Sequence, residues 1–103
     1  MKVGVDYIGV SAGAVIVNSA GKYFLAKRAN GARDDIGKWE FPGGAVEFYE
    51  TREDAARRNI LEKHGFEIAI ERELGVYDVI DRIHTDHWLS TTYVCVPVVG
   101  AVP

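Results

Sequence analysis

The chain has 103 residues, 48% of them hydrophobic and 11% aromatic, which suits a single domain with a modest core. Its 15 acidic residues against 12 basic ones leave a net charge of -3, which disfavours nucleic-acid binding because no basic excess exists to neutralise a phosphate backbone. No apolar run reaches the ~18 residues of a membrane span, and the lone Cys95 cannot close an internal disulfide. The expected setting is therefore cytoplasmic and reducing, with no membrane partner and with Cys95 as a small buried hydrophobe.

The opening "MKVGVDYIGVSAGAVIV" has the apolar character of a signal peptide, but Asp6 interrupts it and its Val/Ile content suits a strand. Residues 7–18, "YIGVSAGAVIVN", read as that strand. A tight turn at Gly21-Lys22 leads into "YFLAKRA" (23–29), which completes a hairpin. "NGARDDIG" (30–37) is a polar loop, and "KWEF" (38–41) is a short strand that stops at Pro42. A helix is expected over 52–64: Thr51 is an N-cap residue with Asp54 three positions on, Glu53 and Asp54 suit the positive end of the helix dipole, and Gly65 is the left-handed C-cap. "FEIAIERE" alternates as a half-buried strand, "LGVYDVIDRI" extends it, and Gly75 marks a bulge. "HTDH" (84–87) is a turn, and "WLSTTYVCVPVV" (88–99) is the last strand, with Pro97 at an edge or a termination. The order β-β-β-α-β-β predicts an α/β domain over 1–103, a mixed sheet with one helix packed on it.

The chemistry concentrates around that helix. Gly43 and Gly44 after Pro42 let the backbone turn where a Cβ would clash, and such a turn can aim carbonyls at a cation or amides at a phosphate. By itself "PGG" is an ordinary turn. The spacing strengthens it. Gly44 is followed after five residues by Glu50, and Arg58 follows seven residues later. At about 100° per residue, Ala55, Arg58, Asn59, Glu62 and Lys63 share one helix face. Such a polar stripe commonly faces solvent. With Glu47 and Glu50 before it and a glycine turn at its mouth, it also suits a hard cation, because Mg²⁺ takes a few carboxylates together with a substrate's phosphates.

Residues 44–66, "GAVEFYETREDAARRNILEKHGF", resemble the Nudix box, a Gly, five residues, a Glu, seven residues, then Arg-Glu-aliphatic-any-Glu-Glu-any-Gly-aliphatic. Gly44, Glu50, Arg58, Ile60, Glu62 and Gly65 match, Phe66 fills the last apolar position, and the flanks "GKWEFPGG" and "KRAN" agree. The resemblance extends from about residue 8 to 99. It implies a Nudix-type α/β/α sandwich, in a short or C-terminally truncated form. It implies hydrolysis of a nucleoside diphosphate linked to another group, by water attacking phosphorus with Mg²⁺ or Mn²⁺ as Lewis acid. By similarity Glu62 is a metal ligand, Gly43, Gly44 and Glu47 lie beside the metal, and Glu50 and Arg58 pair to brace the loop against the helix. The partner is a small-molecule nucleotide derivative, and a sheet-edge homodimer is common among such proteins.

Two positions depart from the signature. Asn59 stands where the box has the Glu after Arg, and Lys63 where it has the second Glu of the later pair. Asn59 offers a carbonyl oxygen without charge or basicity, and Lys63 places a cation on the face meant for one, so metal affinity is expected to be reduced. Some relatives with an altered box rely on a histidine outside it, which singles out His84 and His87 beside Asp78, Asp81 and Asp86; exposed turn histidines and solvated acids are the ordinary reading of the same residues. Trp39 and Tyr49 flank the glycine turn where a base could stack, with core or rim packing the other reading of Trp39; Arg28, Arg33 and Lys38 could contact phosphate, with solvated loop bases the ordinary reading. Three readings result: a hydrolase with a weakened site, a non-catalytic Nudix-fold module that binds a nucleotide or a protein, and a scaffold whose ligands were lost or altered and whose fold alone persists. In the module reading, Lys63 pairs with phosphate in place of the metal.

Overall fold

The computed structural model describes residues 1–27, 39–83 and 85–98. Its main sheet is built on strand β1 (Gly9–Val17), which pairs along one edge with β7 (Asp86–Pro97) in parallel. The other edge of β1 takes two short antiparallel partners, β2 (Tyr23–Phe24) near its end and β5 (Gly43–Ala45) near its middle. β7 pairs in turn with the long β6 (Ile68–Asp81), antiparallel. The strand order β2-β1-β7-β6, with β5 also on β1, makes this a mixed five-stranded sheet. A separate two-stranded sheet joins β3 (Ala26–Lys27) to β4 (Trp39–Glu40).

Helix α1 (Arg52–His64) packs on one face of the sheet. Alternation in β1 sends Ala12, Ala14 and Ile16 to that face, and their partners in β7 are Thr91, Tyr93 and Cys95. Ala55, Ala56, Asn59 and Ile60 answer from the helix. Alanines on both surfaces let backbone approach backbone closely. Phe66 and Ile68 close the end of this core beyond the helix, and the Phe24 ring meets Phe66 edge-on at 5.0 Å. Burial of Ile16, Ile60 and Phe66 contributes about 1.5–3 kcal/mol each.

The helix bounds are those its caps predict. Thr51 is extended, its hydroxyl accepts the Asp54 N–H at 3.1 Å, and Gly65 lies in the left-handed region at φ 80° with its N–H on the Leu61 carbonyl. The bulge expected at Gly75 is present as a register shift between Glu73 and Gly75, with a second between Ile70 and Arg72. β7 ends at Pro97, and Cys95 is fully buried.

Three expectations are corrected. The expected strand 23–29 is interrupted at Leu25 and contributes to two sheets. Of the turn expected at 84–87, Asp86 and His87 already belong to β7. The glycine pair after Pro42 is a strand in its own right. Ala14 N–H donates to the Pro42 carbonyl at 2.9 Å, and Val46 N–H to the Val10 carbonyl at 2.8 Å, so the segment is bonded to β1 at both ends.

Candidate active site

The site is assembled where β5 passes between β1 and the helix. A Cβ on Gly43 would lie 2.6 Å from the Ala12 carbonyl oxygen and 2.6 Å from the Gly13 Cα, both backbone atoms of β1. A Cβ on Gly44 would land on Asn59 Oδ1 and 2.7 Å from Lys63 Nζ. The two glycines thus let one strand lie against a strand on one side and a helix on the other.

After β5 the chain folds into a tight loop before the helix. Glu50 N–H donates to the Glu47 carbonyl at 3.2 Å, and Glu47 N–H donates to Glu50 Oε1 at 3.0 Å. Tyr49 sits inside this loop at φ 67°, uncommon for a residue with a side chain. Phe48 and Tyr49 are both exposed and meet edge-on at 4.5 Å.

Arg58 holds this loop to the helix. Its Nε donates to Glu50 Oε2 at 2.6 Å and its Nη2 to Glu50 Oε1 at 2.9 Å, a two-pronged pair. Nη2 also reaches the Ala45 carbonyl at 3.0 Å. Nη1 lies 3.1 Å from Glu62 Oε1 and 3.3 Å from Glu47 Oε1. The guanidinium beside Glu50, with the Glu47 backbone bond second, holds the Glu50 carboxyl down at about 2. The same partner, Glu50, raises Arg58 above its usual range. Side-chain exposure separates the roles. Glu50 is 15% exposed and Arg58 28%, so this pair is the brace; Glu47 at 68% and Glu62 at 53% face solvent at the mouth.

The two departures from the box occupy definite places. Asn59 is buried, and its Nδ2 donates to the Ala55 carbonyl at 2.9 Å and the Ala45 carbonyl at 3.2 Å. An amide can make these two donations where a carboxylate cannot. Lys63 reaches back across the glycine strand, and its Nζ donates to the Gly43 carbonyl at 2.7 Å. Its neighbour His64 is lowered from the ordinary histidine value by burial first and by the Lys63 charge second.

Of the other expected site residues, His87 lies at the start of β7, where its Nε2 is 3.0 Å from Asp78 Oδ1 across the β6–β7 pair. Its bonds go to Asp78 and, through its backbone N–H, to the Gly4 carbonyl. Arg28, Arg33, Lys38 and His84 lie outside the described residues, and so does the side chain of Trp39. Two features escaped sequence reasoning, the Ala45 carbonyl shared by Arg58 and Asn59 and the exposed ring of Phe48. A carbonyl acceptor leaves no trace in a sequence, whereas Phe48 beside Tyr49 in a polar loop was a readable signal.

The NUDIX domain family matches this chain over residues 8–103. The chain belongs to the Nudix family. Among curated relatives, an "ADP-ribose pyrophosphatase" of Methanocaldococcus jannaschii is 35% identical over 79 residues, covering 77% of this chain and 46% of that protein. A "MutT-like protein" of Streptomyces ambofaciens is 35% identical over 68 residues, covering 66% of this chain and 41% of that protein. A crystal structure of a MutT Nudix hydrolase from Burkholderia pseudomallei superposes with a TM-score of 0.72 at 36% identity, covering 87% of this chain and 71% of that one. The chain spans less than half the length of the curated relatives it matches.

Nudix hydrolases generally use divalent metals, so the residues must be tested against one. Several oxygen atoms around the glycine strand already have cationic partners. Lys63 occupies the Gly43 carbonyl, and Arg58 draws on Glu47, Glu50 and Glu62 together. Among the described residues, no three His, Cys, Asp or Glu side chains are placed to hold one ion. As they stand, these residues do not fit a divalent cation at the Gly43 carbonyl. What they present is a ring of three carboxylates around a guanidinium, with an ammonium at the turn.

Proposed function

We propose that this chain hydrolyses a nucleoside diphosphate linked to another group, with a site weakened for Mg²⁺ or Mn²⁺. The observation that supports this most is the Arg58 hub, which ties loop, strand and helix into one rigid mouth lined by Glu47 and Glu62. In this reading Arg58 and Glu50 position the loop, and Glu62, half exposed, is the carboxylate that accepts a proton from an attacking water. Lys63 faces the phosphates, and Phe48 and Tyr49 form a rim on which a base stacks. His87, held by Asp78, orients the far side of the substrate. A cytoplasmic setting accompanies this reading, and among the described residues no helix is long and apolar enough to cross a membrane. The expected homodimer would pair along β6, the last strand in the sheet order.

A non-catalytic nucleotide-binding module is the second reading, and the ammonium on the Gly43 carbonyl favours it. Release of phosphate or monophosphate from a panel of nucleoside-diphosphate derivatives, with Mg²⁺ and Mn²⁺, separates the two. The hydrolase reading expects slow turnover by the native chain and a rise in the double variant Asn59→Glu, Lys63→Glu. Turnover by the double variant alone would favour the module. Silence from both at pH up to about 9 would overturn the hydrolase reading.

A further inference from the structure

We infer that Lys63 is the resident cation of this site: its tethered ammonium excludes divalent metal from the Gly43 carbonyl and itself supplies the positive charge that binds a nucleoside diphosphate. The second half rests on the substrate class proposed above.

The inference starts from the oxygen atoms. The Gly43 carbonyl points out of the strand toward the helix and accepts from Lys63 Nζ at 2.7 Å. Asn59 Oδ1 converges with that ammonium over the Gly44 Cα, where any side chain would strike both. The Asn59 amide cannot turn away, because its Nδ2 is committed to two carbonyls in a buried setting. A carbonyl and an amide oxygen held this way form a preorganised place for a positive charge, and Lys63 brings that charge with it. A cation on the same chain is present at very high effective concentration, whereas a free ion must also displace it.

Arg58 does not substitute for Lys63. Its guanidinium is spent on Glu50, Glu62, Glu47 and Ala45. Among the described residues Lys63 has one hydrogen bond, to a neutral carbonyl, and its side chain is exposed. An ammonium has three donors, so it can keep the Gly43 carbonyl and still offer hydrogens to phosphate oxygens at the mouth of the turn. Binding of a diphosphate should accordingly proceed without metal.

Three proteins test this: the native chain, Lys63→Gln and Lys63→Glu, each checked for native fold by circular dichroism. Arg57→Gln, which alters the Asp54 and Glu53 pairs on the exposed helix surface, controls for loss of one charge. Free Mn²⁺ is followed by electron paramagnetic resonance during titration, and ADP binding is followed by calorimetry in EDTA. The expected result is Mn²⁺ affinity rising about tenfold or more in Lys63→Glu and less in Lys63→Gln, with Arg57→Gln unchanged. ADP should bind the native chain in EDTA and weaken about fivefold or more in Lys63→Gln but not in Arg57→Gln. Equal Mn²⁺ affinity in all four proteins, or ADP binding in EDTA indifferent to Lys63→Gln, overturns the inference. Absence of ADP binding by every protein, with or without metal, overturns the substrate class instead, and the Mn²⁺ titration still decides whether Lys63 holds the cation position.

Discussion

Arg58 and Glu50 show how much a single residue pair fixes at this site. They lie eight positions apart, one in the helix and one in the loop before it, and their two-pronged contact ties the loop to the helix. The Glu50 carboxyl, ordinarily near 4.5, is held down at about 2 by Arg58. The folded chain therefore binds a proton on Glu50 less readily than the unfolded chain. The stabilisation this carboxylate contributes is fully present above its ordinary value and is lost as pH falls from about 4.5 toward about 2. Urea unfolding of the native chain and Glu50→Gln should differ by a constant margin between neutral pH and about pH 5, and the margin should close below that. A margin independent of pH down to about 2 would show that the pair does not carry the carboxylate's shift.

At the scale of elements, α1 and β5 contrast. The helix announces both its ends, because capping is a local matter of a hydroxyl, an N–H three residues on and a glycine able to take positive φ. β5 announces nothing. Two glycines and an alanine carry no alternation, so the segment reads as a turn, and only the backbone of β1 turns it into a strand. The same tight approach makes it fragile. In Gly43→Ala the new methyl meets the Ala12 carbonyl and the Gly13 Cα, neither of which can move without breaking the strand pairing. We expect a loss of about 1–3 kcal/mol in denaturant unfolding, together with loss of whatever nucleotide binding the native chain shows. A stable, fully binding Gly43→Ala would mean that β5 has room to slide, and the cation position would lose its rigid base.

For the whole molecule, the helix-facing core reports on cooperativity through Cys95. Its thiol is fully buried, and burial pushes it up to about 11 from an ordinary 9.0. At pH 8 the thiolate fraction is about a hundredfold below that of an unshifted thiol, and access is denied as well. Alkylation of the native chain should be slower than that of the urea-unfolded chain by at least about two orders of magnitude, and its rate should track global unfolding. Fast labelling in native buffer would instead reveal local opening of the β1–β7 pair.

The sequence by itself determined the helix and its caps, the spacing of Gly44, Glu50, Arg58 and Glu62 and the Gly75 bulge, because each depends on neighbours within a turn or a strand; the burial of Cys95 followed from the burial tendency of a free thiol. The Glu50–Arg58 brace was expected from the resemblance to the Nudix box; spacing alone did not single it out, since Glu47 and Glu62 also reach the same guanidinium. Tertiary structure alone decided that β7 lies between β1 and β6, since parallel pairing of residues 9–16 with 88–95 joins segments some eighty positions apart. It also decided the two departures from the box. Asn59 reads as a polar position on an exposed stripe, yet the sheet buries it and the Ala45 carbonyl, brought in by β5, gives its amide a partner. Lys63 reads as a solvated cation at the end of a helix, and its bond to Gly43 exists because a strand twenty residues earlier passes under it. Local chemistry writes caps and spacings into a chain, whereas the occupant of a site depends on which distant backbone oxygen the fold places within reach.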